Sequence, residues 1–176
     1  HSCTYHFMPL WYCFRVKKLK NYRLPSFIIP ERYTLTLEPD LVRHTFQGSV
    51  DITLTATKPT HDITLHAVEL ALGSATVTAK GKTQTATRIS TSAGDETVTL
   101  TFPEAVRGTF TLSLSYTGTL NDKMHGFYRS TYTAHGKEHT MAVTQFESTF
   151  ARYALPCIDE PAAKAIFELS VIVEPN

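Results

Sequence analysis

A carboxylate, a guanidinium and a thiol crowd into one stretch of this chain: Gln145 and Glu147, then Arg152, then Cys157, Asp159 and Glu160. Residues two apart on a strand point to the same face, so Gln145 and Glu147 present an amide and a carboxylate to a common space and can grip one polar group there. Cys157 has the chemistry of a nucleophile, but Pro156 before it and Ile158 after it favour a packed, inert thiol. Asp159 and Glu160 form an acid pair in sequence. Neighbouring acids at a helix start usually serve the helix dipole, and Arg152 with Asp159 suits a structural ion pair or cap.

His135–Gly136–Lys137–Glu138–His139 matches H-x-x-E-H, the inverted zinc-protease pattern. That chemistry needs a helix, which brings two histidines four apart onto one face. A glycine inside the motif and strand patterns on both sides fit a β-turn at a hairpin tip instead. His44, His61, His66 and His125 show no ligand spacing and receive no role. The sequence contains no G-x-S-x-G elbow, no phosphate-binding glycine loop and no H-E-x-x-H. On its residues alone, the chain is assigned no catalytic residue, no metal ligand and no bound cofactor.

The elements that must position Gln145 and Glu147 are strands. Tyr33, Leu35 and Leu37 alternate with Thr34, Thr36 and Glu38. Phe46, Val50, Ile52, Leu54 and Ala56 continue the pattern, with Gly48 a candidate bulge and Lys58–Pro59–Thr60 a break. Ile63 and Leu65 open a third strand and Leu70 and Leu72 a fourth, while the threonine-rich run from Thr76 to Ser90 reads as a hairpin turned at Lys80–Gly81–Lys82. Val98 to Phe102 and Phe110 to Tyr116 alternate again. Gly126 to Ser130 and Thr140 to Phe146 flank a hairpin at His135–Gly136–Lys137, which delivers Gln145 and Glu147 to the end of the return strand. Pro161 behind Asp159 and Glu160 predicts one short helix near residues 160–165, before strand alternation resumes at Phe167, Leu169, Val171 and Val173. The expected fold is all-β, an antiparallel β-sandwich or saddle.

With 176 residues, 42% of them hydrophobic, the chain can build a genuine core, burying roughly 70% of its unfolded surface. Lysine and arginine number 17 against 16 acids, a net charge of +1, so no overall field draws nucleic acid or an anionic membrane. Cys3, Cys13 and Cys157 make neither a disulfide framework nor a paired zinc site, and no Asn-x-Ser/Thr acceptor occurs; both point to a reducing, cytoplasmic setting. The apolar run from Phe7 to Val16 precedes Lys17, Lys18 and Lys20, the reverse of a secretory signal. It is also far short of the ~20 apolar residues that span a bilayer. Residues 1–20 therefore read as a disordered leader with no transmembrane segment, ahead of a domain at 21–176.

Taken together, Gly126–Phe127–Tyr128–Arg129–Ser130, Thr144–Gln145–Phe146–Glu147, Ala151–Arg152, Pro156–Cys157–Ile158–Asp159–Glu160–Pro161 and Lys164–Ala165 closely resemble the N-terminal domain of M1-family zinc aminopeptidases. The likeness is to the puromycin-sensitive and aminopeptidase N-like branch, whose early elements also resemble Leu24–Pro25, Pro30 to Tyr33 and Phe46–Gln47–Gly48. Ile158 departs from the aromatic usual at its position, a packing change. The resemblance implies a saddle-shaped β domain, incomplete at its C-terminus, that covers one side of the cleft of a separate catalytic domain. It implies that Glu147 binds the free α-amino group of a peptide, with Gln145 the first residue of the same element, and that Zn2+ belongs to the missing catalytic domain. The partners it implies are a peptide N-terminus and that catalytic domain, and the chain alone is expected to be inactive. The other reading is a standalone, non-catalytic β module that binds peptide N-termini or a protein partner.

Overall fold

The computed structural model of the chain describes residues 23–173, so the expected leader at 1–20 lies outside the described residues. Alternation of period two runs through almost all of them. β1 (Ile28–Asp40) and β2 (Thr45–His66) are followed by β3 (Ala71–Ala79), β4 (Lys82–Thr85) and β5 (Arg88–Ser92). Then come β6 (Thr97–Thr119), β7 (Gly126–Ala134), β8 (Lys137–Gln145) and β9 (Ile166–Val171). The larger sheet has the order β4-β3-β6-β2-β1-β9, with β5 also on β6, and β7 and β8 form a second sheet of two strands. The class is all-β, as its sequence predicts.

Burial follows the alternation. Tyr33, Leu35 and Leu37 of β1 point inward beside Val50, Ile52 and Leu54 of β2 and Leu112, Leu114 and Tyr116 of β6. Ile63, Leu65, Val98 and Leu100, from the far halves of β2 and β6, belong to the same apolar cluster. A single sheet gathers both halves into one core by bending, and the bend lies where the β2–β6 register shifts between Ala56 and Asp62.

That bend explains the first difference from expectation. Lys58–Pro59–Thr60 does not end a strand, because Pro59 sits inside the irregular stretch where no ladder donor is required of it. For the same reason the alternating runs at 98–102 and 110–116 are one strand, β6, which passes through Gly108 at φ 75°. Gly48 is not a bulge: its pairing with Leu37 and Tyr116 is uninterrupted. A glycine is needed because the Tyr116 ring occupies the space of a side chain, with its Cζ 2.3 Å from where a Cβ would stand.

The short helix expected near 160–165 is also absent. Asp159–Glu160–Pro161 enters a turn closed by Ala163 N–H donating to Glu160 O at 2.9 Å, and β9 begins at Ile166. So few residues cannot offset the cost of nucleating a helix, and Asp159 is already engaged by Arg152. The one helical element among the described residues is a 3-10 turn at Ala151–Tyr153. β9 itself runs parallel to β1, whereas the other strand ladders among the described residues are antiparallel.

Candidate substrate-binding site

The β7–β8 hairpin turns at His135 and Gly136, whose φ angles of 51° and 72° suit the tight two-residue turn that matches the strand twist. His135 therefore lies in the turn, while His139 sits on β8 and stacks on Tyr132 at 5.2 Å. At its other end the hairpin closes with Gly126 opposite Gln145. Gly126 adopts φ 69°, and a Cβ there would stand 2.5 Å from Tyr153 Cβ, so the mouth of the hairpin packs directly on the 3-10 turn. Phe127 anchors it to the larger core, edge-on to Phe46 at 5.1 Å.

Gln145 is the last residue of β8, and Glu147 lies just past the strand in the turn that leads to Ala151. Both side chains are exposed. They are brought together, though not as two parallel side chains on one strand face. Gln145 Oε1 accepts the backbone N–H of Glu147 at 2.8 Å, so the amide orients the acid's backbone and the carboxylate alone is left to project. The Glu147–Ser148 peptide is cis. In the turn that follows, the His125 ring is stacked on Phe150 at 4.5 Å and edge-on to Tyr153 at 4.8 Å.

Starting with the 3-10 turn, residues 151–160 form a strap across the ends of the main strands. Arg152 is buried; its Nε donates to Asp159 Oδ2 at 2.9 Å and its guanidinium also reaches Glu96 Oε2 at 2.7 Å. The ion pair expected from the sequence is therefore formed, with Glu96 as a second partner. Cys157 exchanges two backbone hydrogen bonds with His66, at 2.8 and 3.0 Å, and its own thiol is buried. Burial pushes that thiol well above its ordinary pKa and Asp159 adds to the shift, which keeps it protonated and inert as the flanking residues suggested.

Three side chains that sequence reasoning missed hold the strap. The Ile158 N–H donates to the Tyr33 hydroxyl at 3.1 Å, the Asp159 N–H to His66 Nδ1 at 3.1 Å, and Glu96 receives Arg152. Tyr33 read only as one apolar position in an alternating strand, although its hydroxyl is a polar handle that needs a partner once buried. Parity gave no signal for His66: it follows the inward Leu65 and so falls on the opposite face, and it is buried because the strap crosses the end of β2 there.

The model of the Peptidase M1 N-terminal domain matches residues 29–176. The chain belongs to the M1 peptidase N-terminal domain family. This M1 domain is 44% identical over 156 residues to Aminopeptidase M1 of Arabidopsis thaliana and 44% identical over 156 residues to Aminopeptidase M1-A of Oryza sativa subsp. japonica. It is 38% identical over 161 residues to Endoplasmic reticulum aminopeptidase 1 of Homo sapiens. These matches cover 86%, 86% and 88% of the chain but only 18%, 18% and 17% of the relatives, so the M1 domain spans less than a fifth of their length. Among its described residues no group of three or more His, Cys, Asp or Glu is placed to hold a metal ion, and no helix is long and apolar enough to cross a membrane.

Proposed function

We propose that the chain is the substrate-anchoring N-terminal part of a zinc aminopeptidase that removes N-terminal residues from peptides. In this reading Glu147 takes the free α-ammonium group and Gln145 sets the position of Glu147. The observation that carries it is a projecting carboxylate on a chain of the M1 family, with its backbone tied down by the neighbouring amide. An exopeptidase must tell a terminal ammonium from an internal amide. A fixed carboxylate does this because the ammonium is cationic and donates several hydrogen bonds. One charge-assisted hydrogen bond contributes about 1.5–3 kcal/mol, roughly ten- to a hundred-fold in preference.

In this reading the zinc chemistry belongs to a separate catalytic domain, and this chain contributes substrate binding. The chain alone is silent in this reading, because activation of water needs a Lewis acid held in place. Cysteine usage favours a cytoplasmic setting.

The test is a chimera in which residues 29–176 replace the matching segment of the Arabidopsis Aminopeptidase M1. Glu147→Ala in that chimera should lower kcat/KM on an alanyl fluorogenic substrate by roughly ten- to a hundred-fold. An unchanged value would remove Glu147 from the site. Release of the fluorophore by the isolated chain with Zn2+ would overturn the assignment of catalysis elsewhere.

A further inference from the structure

We propose that the contact between the Asp159 N–H and His66 Nδ1 is a pH-sensitive latch that fastens the 151–160 strap to the end of β2. A backbone N–H can only donate. With that donor 3.1 Å away, Nδ1 must be the unprotonated nitrogen, and the proton of the neutral ring is on Nε2. Protonating the imidazole would set one N–H against another and remove the bond.

The surroundings decide how readily that happens. His66 is buried at the end of β2 and lines a cleft of about 640 Å³. Facing it are Arg152 from the 3-10 turn, Cys157, Asp159 and Glu160 from the strap and Glu96 from the loop before β6; Arg23 and Asp95 line the same cleft. Burial holds the imidazole below its ordinary pKa, and the Arg152 cation pushes the same way. Asp159, Glu160 and Glu96 oppose these more weakly. The detached or unfolded histidine, near 6.5, binds a proton more readily than the latched one. Latch stability is therefore fully present above about pH 7 and declines as pH falls through about 6.5 toward the lower folded value.

The strap is the direct continuation of the turn that carries Glu147, and its 3-10 turn supports the mouth of the hairpin. Opening the latch loosens the joint between the two sheets, whatever role Glu147 has.

The full chain labelled with 13C and 15N provides the test. Long-range nitrogen–proton NMR spectra at pH 7.5 should show His66 Nδ1 bare and Nε2 protonated; a proton on Nδ1 overturns the proposal. Protection of the Asp159 amide against hydrogen exchange, taken relative to Leu112 in β6, should fall several-fold, and at most about ten-fold, by pH 5.5, which lies roughly one unit below the pKa of the free histidine. In His66→Asn, whose side-chain oxygen replaces Nδ1 and does not titrate, relative protection should not change with pH. Loss of protection in both chains, or in neither, rules out the latch. If the variant fails to fold, the tautomer and the pH profile of the natural chain decide the matter.

Discussion

Gln145 holds the residue two places after it: its side-chain oxygen accepts the Glu147 N–H at 2.8 Å, at the point where β8 ends and the ladder can no longer fix the chain. The bond is exposed, so its net contribution is about 0.5–1.5 kcal/mol. Gln145→Ala should speed exchange of the Glu147 amide roughly two- to ten-fold and lower the unfolding free energy in urea by no more than about 1.5 kcal/mol. Gln145→Glu, which keeps an acceptor, should retain the protection. Equal exchange in all three proteins would mean that the amide does not position the acid.

Arg152 has the opposite energetics. It is buried between Asp159, itself largely covered, and Glu96, which is 45% exposed. Removing one partner of a buried pair strands the other, at a cost of about 3–5 kcal/mol, whereas a pair open to water contributes ~1 kcal/mol or less. Arg152→Ala should therefore lower unfolding free energy in urea by several times as much as Glu96→Gln. Similar losses for the two variants would contradict the geometry.

The same residues show why part of the structure could be read in advance. Alternation in β1 and in the 110–116 run follows from local burial, and the Lys80–Gly81 and His135–Gly136 turns follow from backbone preference, so both were legible. What was not legible depends on distance. Tyr33 meets Ile158 across 125 positions and His66 meets Asp159 across 93, and no local pattern marks either partner. Pro59 misled because a proline ends a regular strand but fits a bent one, and Pro161 because a cap signal without enough residues behind it gives only a turn. At the candidate site, the pairing of Gln145 with Glu147 was legible and the use of the amide was not, since it follows from the chain leaving β8 at that point.

Gly48 and Tyr116 form a steric pair. A methyl group at Gly48 would overlap the far end of the Tyr116 side chain at 2.3–2.6 Å, so the ring would have to shift. Gly48→Ala should destabilise the chain by about 1–3 kcal/mol, the usual cost of overpacking, measured by urea unfolding. The Tyr116 hydroxyl is buried with no hydrogen-bond partner among the described residues, and burial raises its pKa far above the ordinary value. Tyr116→Phe should consequently be neutral or stabilising, because it removes a polar group whose desolvation is uncompensated. A loss of stability in Tyr116→Phe would show that the hydroxyl is satisfied in solution.

β9 lies at the edge of the larger sheet, where Phe167, Leu169, Val171 and Val173 are all at least half exposed. Inward it is held by the parallel ladder to β1, by Phe167 stacked on Tyr33 at 4.7 Å and by the Arg32–Glu168 ion pair. Outward, no strand among the described residues pairs with it, which leaves a row of backbone donors and acceptors beside an apolar stripe, the arrangement that templates edge-to-edge association. The isolated chain should therefore self-associate as its concentration rises. Leu169→Lys places a charge in the middle of that stripe without touching Tyr33, Arg32 or the β1 ladder. It should reduce association in sedimentation velocity while leaving the circular dichroism spectrum and the urea midpoint nearly unchanged. Equal self-association of both chains would mean that the contact lies elsewhere, and a monomeric natural chain at high concentration would mean that the edge is protected.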